Sequence, residues 1–229
     1  MHHKREAAPI TETPPHTAGK VIRWARFYDA ASWLMSFGRA GAIRRMTLEM
    51  AAVSPGEAVL DVGCGTGTLA IAAKEAAGAG GEVCGIDASP EMIEVARGKT
   101  RKAGTEVRFD VGLIESIPYP DGRFDLVLSS LMLHHLPDDL KRAGFAEIHR
   151  VLKPGGRADA RPSGRFLAVD LSGQSDSFIG HLLSLFGHAH HGGMSALPAL
   201  LQDAGFTDVA TGPTVFGPLA YLRGRKAEG

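Results

Sequence analysis

Cysteine is scarce in this chain: two residues, Cys64 and Cys84, among 229. One falls in a glycine-rich stretch and the other in an apolar run, so both read as small packing residues, and a disulfide framework or cysteine metal centre is not expected. An excess of charge of either sign is also lacking. Lys+Arg number 25 and Asp+Glu number 25, for a formal net charge of +0. Without a basic surplus the chain is poorly equipped to neutralise a phosphate backbone, and no nucleic-acid partner is expected. Arg39, Arg44 and Arg45 form a local basic group. No apolar run reaches the roughly 20 residues that span a bilayer, and no secretory leader is visible. The expectation is therefore a cytoplasmic protein with no transmembrane segment. No internal repeat is seen. His188, His190 and His191 cluster between Gly187 and Gly193, but no acid or cysteine completes a ligand set, so no metal is expected.

What is present is a globular composition, 44% hydrophobic and 22% charged, enough to bury a sizeable core. Residues 1–17 are polar and Pro/Thr-rich, and disorder is expected there. Residues 18–229 read as a single domain. Over 18–52 apolar residues recur at helical spacing, predicting one or two amphipathic helices. Beyond residue 56 strand and helix patterns alternate, which implies a parallel sheet in an α/β fold. Strands are expected near 58–62, 82–87, 105–111, 124–129, 166–171, 206–210 and 219–225. Helices are expected from Leu69 to Ala77, from Ser89-Pro90, over about 137–152, and over about 195–204. Ser89 before Pro90 supplies an N-cap and a proline at the first helical position.

The most informative stretch is Val59-Leu60-Asp61-Val62-Gly63-Cys64-Gly65-Thr66-Gly67-Thr68. An apolar strand ends at an acid, passes through alternating glycines and opens a helix. Such strand-to-helix turns bind nucleotide-like ligands in open α/β sheets. The next strand ends in Asp87, about 20 residues past the last glycine, where an acid can accept hydrogen bonds from ribose hydroxyls. A dinucleotide fingerprint requires G-x-G-x-x-G, and Thr68 stands where its last glycine would be. Asp61 would repel a pyrophosphate and attract a cationic amino-acid group. The alternatives are an NAD-binding domain or a plain strand–helix turn.

These residues resemble the class I S-adenosylmethionine-dependent methyltransferases, and further segments extend the resemblance to small-molecule methyltransferases of ubiquinone and menaquinone biosynthesis. Those segments are Val83–Asp87 with Ser89-Pro90-Glu91-Met92, Ile117-Pro118-Tyr119 with Phe124-Asp125, Ser129–Leu136, and Arg150–Gly156. The resemblance implies a Rossmann-like, doubly wound, mostly parallel sheet of seven strands, the last antiparallel and inserted beside the fifth, with an N-terminal helical lid. It implies S-adenosyl-L-methionine as cofactor and S-adenosyl-L-homocysteine as product. Asp61, Gly63, Cys64, Gly65 and Gly67 would form the loop that cradles the methionine end. Asp87 would hold the ribose, Ala88 and Met92 would flank the adenine, and Ser129 would lie near the methionine moiety. Where such enzymes usually carry Gly-Asp-Ala after the third strand, this chain has Gly112-Leu113-Ile114-Glu115. Adenine would then be held by apolar contacts and backbone groups at Leu113 and Ile114. The stretch 157–165, with Arg157, Arg161 and Arg165, is longer than the family's usual connection and reads as a solvated surface loop.

Catalytic candidates are His134 and His135, just after the fourth strand, where a neutral imidazole can accept a proton. Tyr28 matches a family tyrosine that covers the cofactor from the lid. Packing roles remain open for all three. The apolar run Phe178, Ile179, Leu182, Leu183, Leu185 and Phe186 suggests a lid over 174–194 that closes an apolar pocket opposite Trp24, Tyr28 and Trp33; a core helix or a dimer contact is the alternative. The expected activity is methyl transfer to a small, largely apolar acceptor by a monomer or homodimer. A non-methylating cofactor binder of the same fold, or a nucleic-acid or protein methyltransferase, are the competing readings.

Overall fold

Short apolar runs closed by Gly, Asp or Ser build the strands of this protein, and amphipathic stretches between them build the helices. The computed structural model describes residues 38–155, 162–172 and 196–227. Helix α1 (Ala40–Ala51) leads into β1 (Ala58–Val62), α2 (Thr68–Ala77), β2 (Glu82–Asp87), α3 (Pro90–Ala103), β3 (Arg108–Val111) and β4 (Leu126–Ser130). A 3₁₀ turn (Leu133–His135) and α4 (Asp138–Val151) follow, then β5 (Arg165–Leu171), α5 (Leu197–Asp203), β6 (Phe206–Pro213) and β7 (Leu219–Lys226). The seven strands form one sheet in the order β3-β2-β1-β4-β5-β7-β6. The pairs from β3 to β5 are parallel, and β7 runs antiparallel between β5 and β6. This is the mixed α/β sheet expected from the sequence, with its inserted last strand.

Alternate residues of each strand feed opposite faces. Leu60, Val62, Ile86, Val127, Phe166 and Ala168 pack on one face with Phe145 and Ile148 of α4. Val59, Val83, Leu126, Leu128 and Leu167 pack on the other with Ala70 and Ala73 of α2. Helix starts follow local chemistry. Ser89 Oγ accepts the Met92 N–H at 3.3 Å, and Pro90 opens α3. Asp138 and Asp139 occupy the first turn of α4, with His149 and Arg150 in the last, matching the helix dipole at both ends.

Some boundaries differ from the sequence expectation. β3 begins at Arg108 rather than near 105, because Gly104 takes the left-handed conformation and the Thr105 N–H still bonds Thr100 O at 3.2 Å, closing α3. Arg165 belongs to β5 and not to a solvated loop. Its guanidinium ion-pairs with Glu57, at 2.6 Å from Oε1, and donates to Ala51 O and Ala52 O at 2.9 Å. The expected tail over 1–17, the helices over 18–37 with Trp24, Tyr28 and Trp33, residues 157–161, and the segment 174–194 with His188–His191 lie outside the described residues.

Candidate active site

β1 is flanked by β2 on one side and β4 on the other, so the strand order reverses there. Open α/β sheets bind ligands outside the carboxyl ends of the strands at such a switch point. The glycine loop lies there. Gly63 N–H and Cys64 N–H both donate to Ile86 O at 2.9 Å, and Gly67 N–H donates to Cys64 O at 2.9 Å. Gly65 has φ 53°, in the left-handed region that costs an L-residue roughly 1–2 kcal/mol. Gly67, at φ 77°, also lacks room for a side chain: a Cβ there would lie 2.5 Å from Phe109 Cζ. The loop therefore has a backbone shape and a packing that require glycine, and it leaves Asp61 at the strand end.

Asp61 is 1% exposed, and its Oδ2 has no partner among the described residues. Burial foremost, and then the charge of Asp87, pushes its pKa from the ordinary 3.8 up to about 7, against the opposing backbone N–H of Ala70. A buried carboxylate oxygen without a donor is costly unless a ligand supplies one. The α-ammonium of a methionine moiety is such a donor, so the residues present fit S-adenosylmethionine. Asp87 is better partnered: Oδ2 accepts the Gly65 N–H and Oδ1 the Ser89 N–H, each at 2.9 Å. Burial raises its pKa while those two bonds lower it. A carboxylate offers about four acceptor positions, so Asp87 can tether the loop and still receive ribose hydroxyls. Burial, then Asp61 and Asp87, raise the Cys64 thiol well above its usual value, which leaves it protonated and inert as a nucleophile.

The other expected residues fall around this loop. Ala88 follows β2 and is half-buried. Met92 is 2% exposed yet stands outside both core clusters. Leu113 is half-buried beside β3. Ile114 is buried and packs on α4, where a Cβ on Gly144 would lie 2.6 Å from Ile114 Cγ1. Its side chain is thus committed to the core, and it can offer the site mainly backbone. Ser129 is 1% exposed, and its Oγ has no partner among the described residues. Because β4 pairs Leu128 with Asp61, Ser129 leaves the sheet on the face opposite Asp61, and the two orphaned oxygens bracket the strand ends.

His134 and His135 lie in the 3₁₀ turn after β4, with ring centroids 3.8 Å apart. His134 Nδ1 is 2.6 Å from Asp170 Oδ1, and the His134 N–H donates to Asp170 Oδ2 at 3.3 Å. Asp170 was not among the sequence-derived candidates. A signal was available: Phe166–Val169 is a third apolar strand that ends in an acid, as β1 and β2 do. Met132, also absent from that set, packs onto Gly63, where a Cβ would lie 2.9 Å from Met132 Cβ. Tyr28 lies outside the described residues. Among the described residues there is no group of three or more His, Cys, Asp or Glu side chains that could hold a metal.

A family model described as "Methyltransferase domain" matches residues 59–156. A demethylmenaquinone methyltransferase from Anoxybacillus flavithermus is 30% identical over 219 residues, covering 88% of this chain and 92% of the relative. The ubiquinone/menaquinone biosynthesis C-methyltransferase UbiE of Citrobacter koseri is 30% identical over 217 residues, covering 87% and 86%. The crystal structure of a SAM-dependent methyltransferase from Aquifex aeolicus shares the fold, with a TM-score of 0.64 at 21% identity over 87% of this chain and 95% of that one.

Proposed function

The chain belongs to the class I S-adenosylmethionine-dependent methyltransferases, and on that premise we propose that it methylates a small, largely apolar acceptor of the quinone-precursor type. The bound cofactor supplies an electrophilic methyl group on a positively charged sulfur. Asp61 would receive the α-ammonium, the Gly63–Gly67 backbone would border the methionine end, and Asp87 would receive the ribose hydroxyls. Leu113, Ala88, Met92 and the backbone at Ile114 enclose the adenine. The observation that carries the cofactor assignment is the buried Asp61 Oδ2, without a partner among the described residues, at the switch point of the sheet. Little protein chemistry is then needed beyond in-line positioning and exclusion of water.

The acceptor class is supported by the relatives, named a demethylmenaquinone methyltransferase and a ubiquinone/menaquinone biosynthesis C-methyltransferase, each 30% identical over 88% and 87% of this chain. Balanced charge, 25 basic against 25 acidic residues, supports a small neutral acceptor over a nucleic acid. No helix among the described residues is long and apolar enough to cross a membrane. The test is transfer of a labelled methyl group from S-adenosylmethionine to 1,4-naphthalenediol and to a lipid-tailed 1,4-naphthoquinol, under reducing conditions. Label is expected in an organic-extractable product. Cofactor binding without label in any small acceptor would sink the reading.

A further inference from the structure

The carboxyl end of β5 carries chemistry that cofactor binding does not use. Asp170 is 2% exposed, and its carboxylate accepts the Leu171 N–H at 2.7 Å and the His134 N–H at 3.3 Å, with His134 Nδ1 2.6 Å away. Two backbone donors would suffice to hold the turn. The third and shortest contact is to an imidazole nitrogen whose side chain is only 18% exposed. A carboxylate can only accept, so Nδ1 carries the hydrogen, and in the neutral imidazole the lone pair is then on Nε2. The contact holds the ring in one orientation, and the His135 ring, tilted 45° to it at 3.8 Å between centroids, limits its rotation further.

The chain is bent to achieve this. Leu131 has φ 55°, a left-handed conformation that is strained for a branched residue, and such strain persists where the surroundings over-determine it. The Leu131 N–H bonds Val169 O at 2.9 Å, anchoring the bend to β5. The next residue, Met132, lies on Gly63 of the cofactor loop. One turn of chain thus spans from the methionine end of the cofactor site to the Asp170–His134 pair. The orphaned Ser129 Oγ lies on the same face of the sheet as Asp170, since β4 pairs Ser129 with Ala168, two residues before Asp170.

We infer that His134 is a catalytic base, oriented by Asp170, that removes the hydroxyl proton of the acceptor. This deepens the proposed function and rests on it. The hydroxyl proton passes to Nε2 of His134, and Asp170 balances the imidazolium charge. The resulting aryloxide donates an electron pair, through oxygen or through an ortho ring carbon, to the methyl carbon. The carbon–sulfur bond breaks with its pair staying on sulfur, which becomes a neutral thioether. After oxygen attack the imidazolium gives its proton to water. After carbon attack the ring proton at that carbon leaves to water and His134 returns its proton to the oxygen, restoring the aromatic ring. His134 is the catalytic residue and Asp170 a positioning residue.

The experiment compares wild type, His134→Gln and Asp170→Asn, with S-adenosylmethionine and 1,4-naphthalenediol under argon at pH 7 and pH 9. Amine and thiol acceptors run in parallel, and calorimetry measures cofactor affinity. Asp170 and His135 are titratable side chains in contact with His134. Positioned general bases contribute about 10²–10⁴-fold, so both variants should lose about a hundredfold or more in kcat at pH 7. Cofactor affinity should be unchanged. The deficit should shrink at pH 9, where the diol ionises in solution and needs no base, a response a merely structural role would not produce. Asp170→Asn keeps the size of the side chain, and His134→Gln leaves the Asp170 backbone bonds in place, so one of the pair reports even if the other unfolds. Wild-type turnover of the diol with variants within threefold, or with a deficit constant in pH, overturns the base and leaves the proposed function standing. Cofactor binding by wild type with transfer to amines or thiols but never to the diol overturns both.

Discussion

At Asp61, burial and the neighbouring Asp87 charge hold the carboxyl up at about 7. A carboxyl whose pKa is raised on folding contributes stability that is full below its ordinary value of 3.8 and is lost as pH rises through the folded value. The protein without cofactor should therefore lose stability from this group between about pH 4 and pH 7. A bound ammonium favours the ionised form, so cofactor affinity should rise from pH 6 to pH 8, by up to about tenfold per unit below the folded pKa. Calorimetric titration at both values checks this, and Asp61→Asn should flatten the profile while weakening binding. An identical pH profile for wild type and variant would remove Asp61 from the ammonium site. At Asp87 the carboxylate serves the loop as well as the ligand. Asp87→Ala should therefore weaken the cofactor by at least the roughly 1.5–3 kcal/mol of a hydrogen bond to a charged group. Gly65→Val should also impair cofactor binding, because a β-branched residue at φ 53° must reshape the loop. Unchanged affinity in a folded Gly65→Val protein would mean that the loop does not shape the site.

Arg165 shows how elements are joined away from the site. Its guanidinium links the first residue of β5 to the C-terminal carbonyls of α1 and to Glu57 before β1. Each terminal carbonyl is one that the helix leaves without an internal partner. Arg165→Ala should lower stability by about 2–4 kcal/mol, given roughly 1.5–3 kcal/mol for bonds to charged groups and the penalty of leaving Glu57 unpaired. Urea unfolding should show an earlier midpoint with the same slope, and Arg165→Lys should restore only part of the loss, since an ammonium cannot reproduce the planar fork. An unchanged midpoint would mean that the tie is redundant. Element identity was legible in the sequence, because strand and helix periods, the Ser89-Pro90 start and the acids that close β1 and β2 are local patterns. Element ends were less so. Where α3 stops and β3 starts depends on a Thr105 N–H that continues the helix, and whether Arg165 is loop or strand depends on a partner more than 100 residues away.

For the molecule as a whole, a ligand that binds only the folded state stabilises it by mass action, about 2.7 kcal/mol at a hundredfold excess over Kd. For a chain of this size that corresponds to a melting shift of roughly 5–10 °C. S-adenosylmethionine or S-adenosylhomocysteine should produce it, and NAD should not. An equal shift with NAD would restore the dinucleotide reading that the missing third glycine argued against. The α/β class, the strand–glycine–helix loop, the two strand-end acids and the cofactor class were determined by the sequence alone. Each of them is a short-range pattern of apolar period, turn chemistry and charge. The pairing of His134 with Asp170, 36 residues apart, the seating of Met132 on Gly63, the second duty of Asp87 and the orphaning of Ser129 Oγ were decided only by the tertiary structure. The first two depend on β5 lying beside β4 and on Leu131 bending left-handed to bring the turn back over the sheet. No local pattern encodes which strands become neighbours or how closely two side chains then approach.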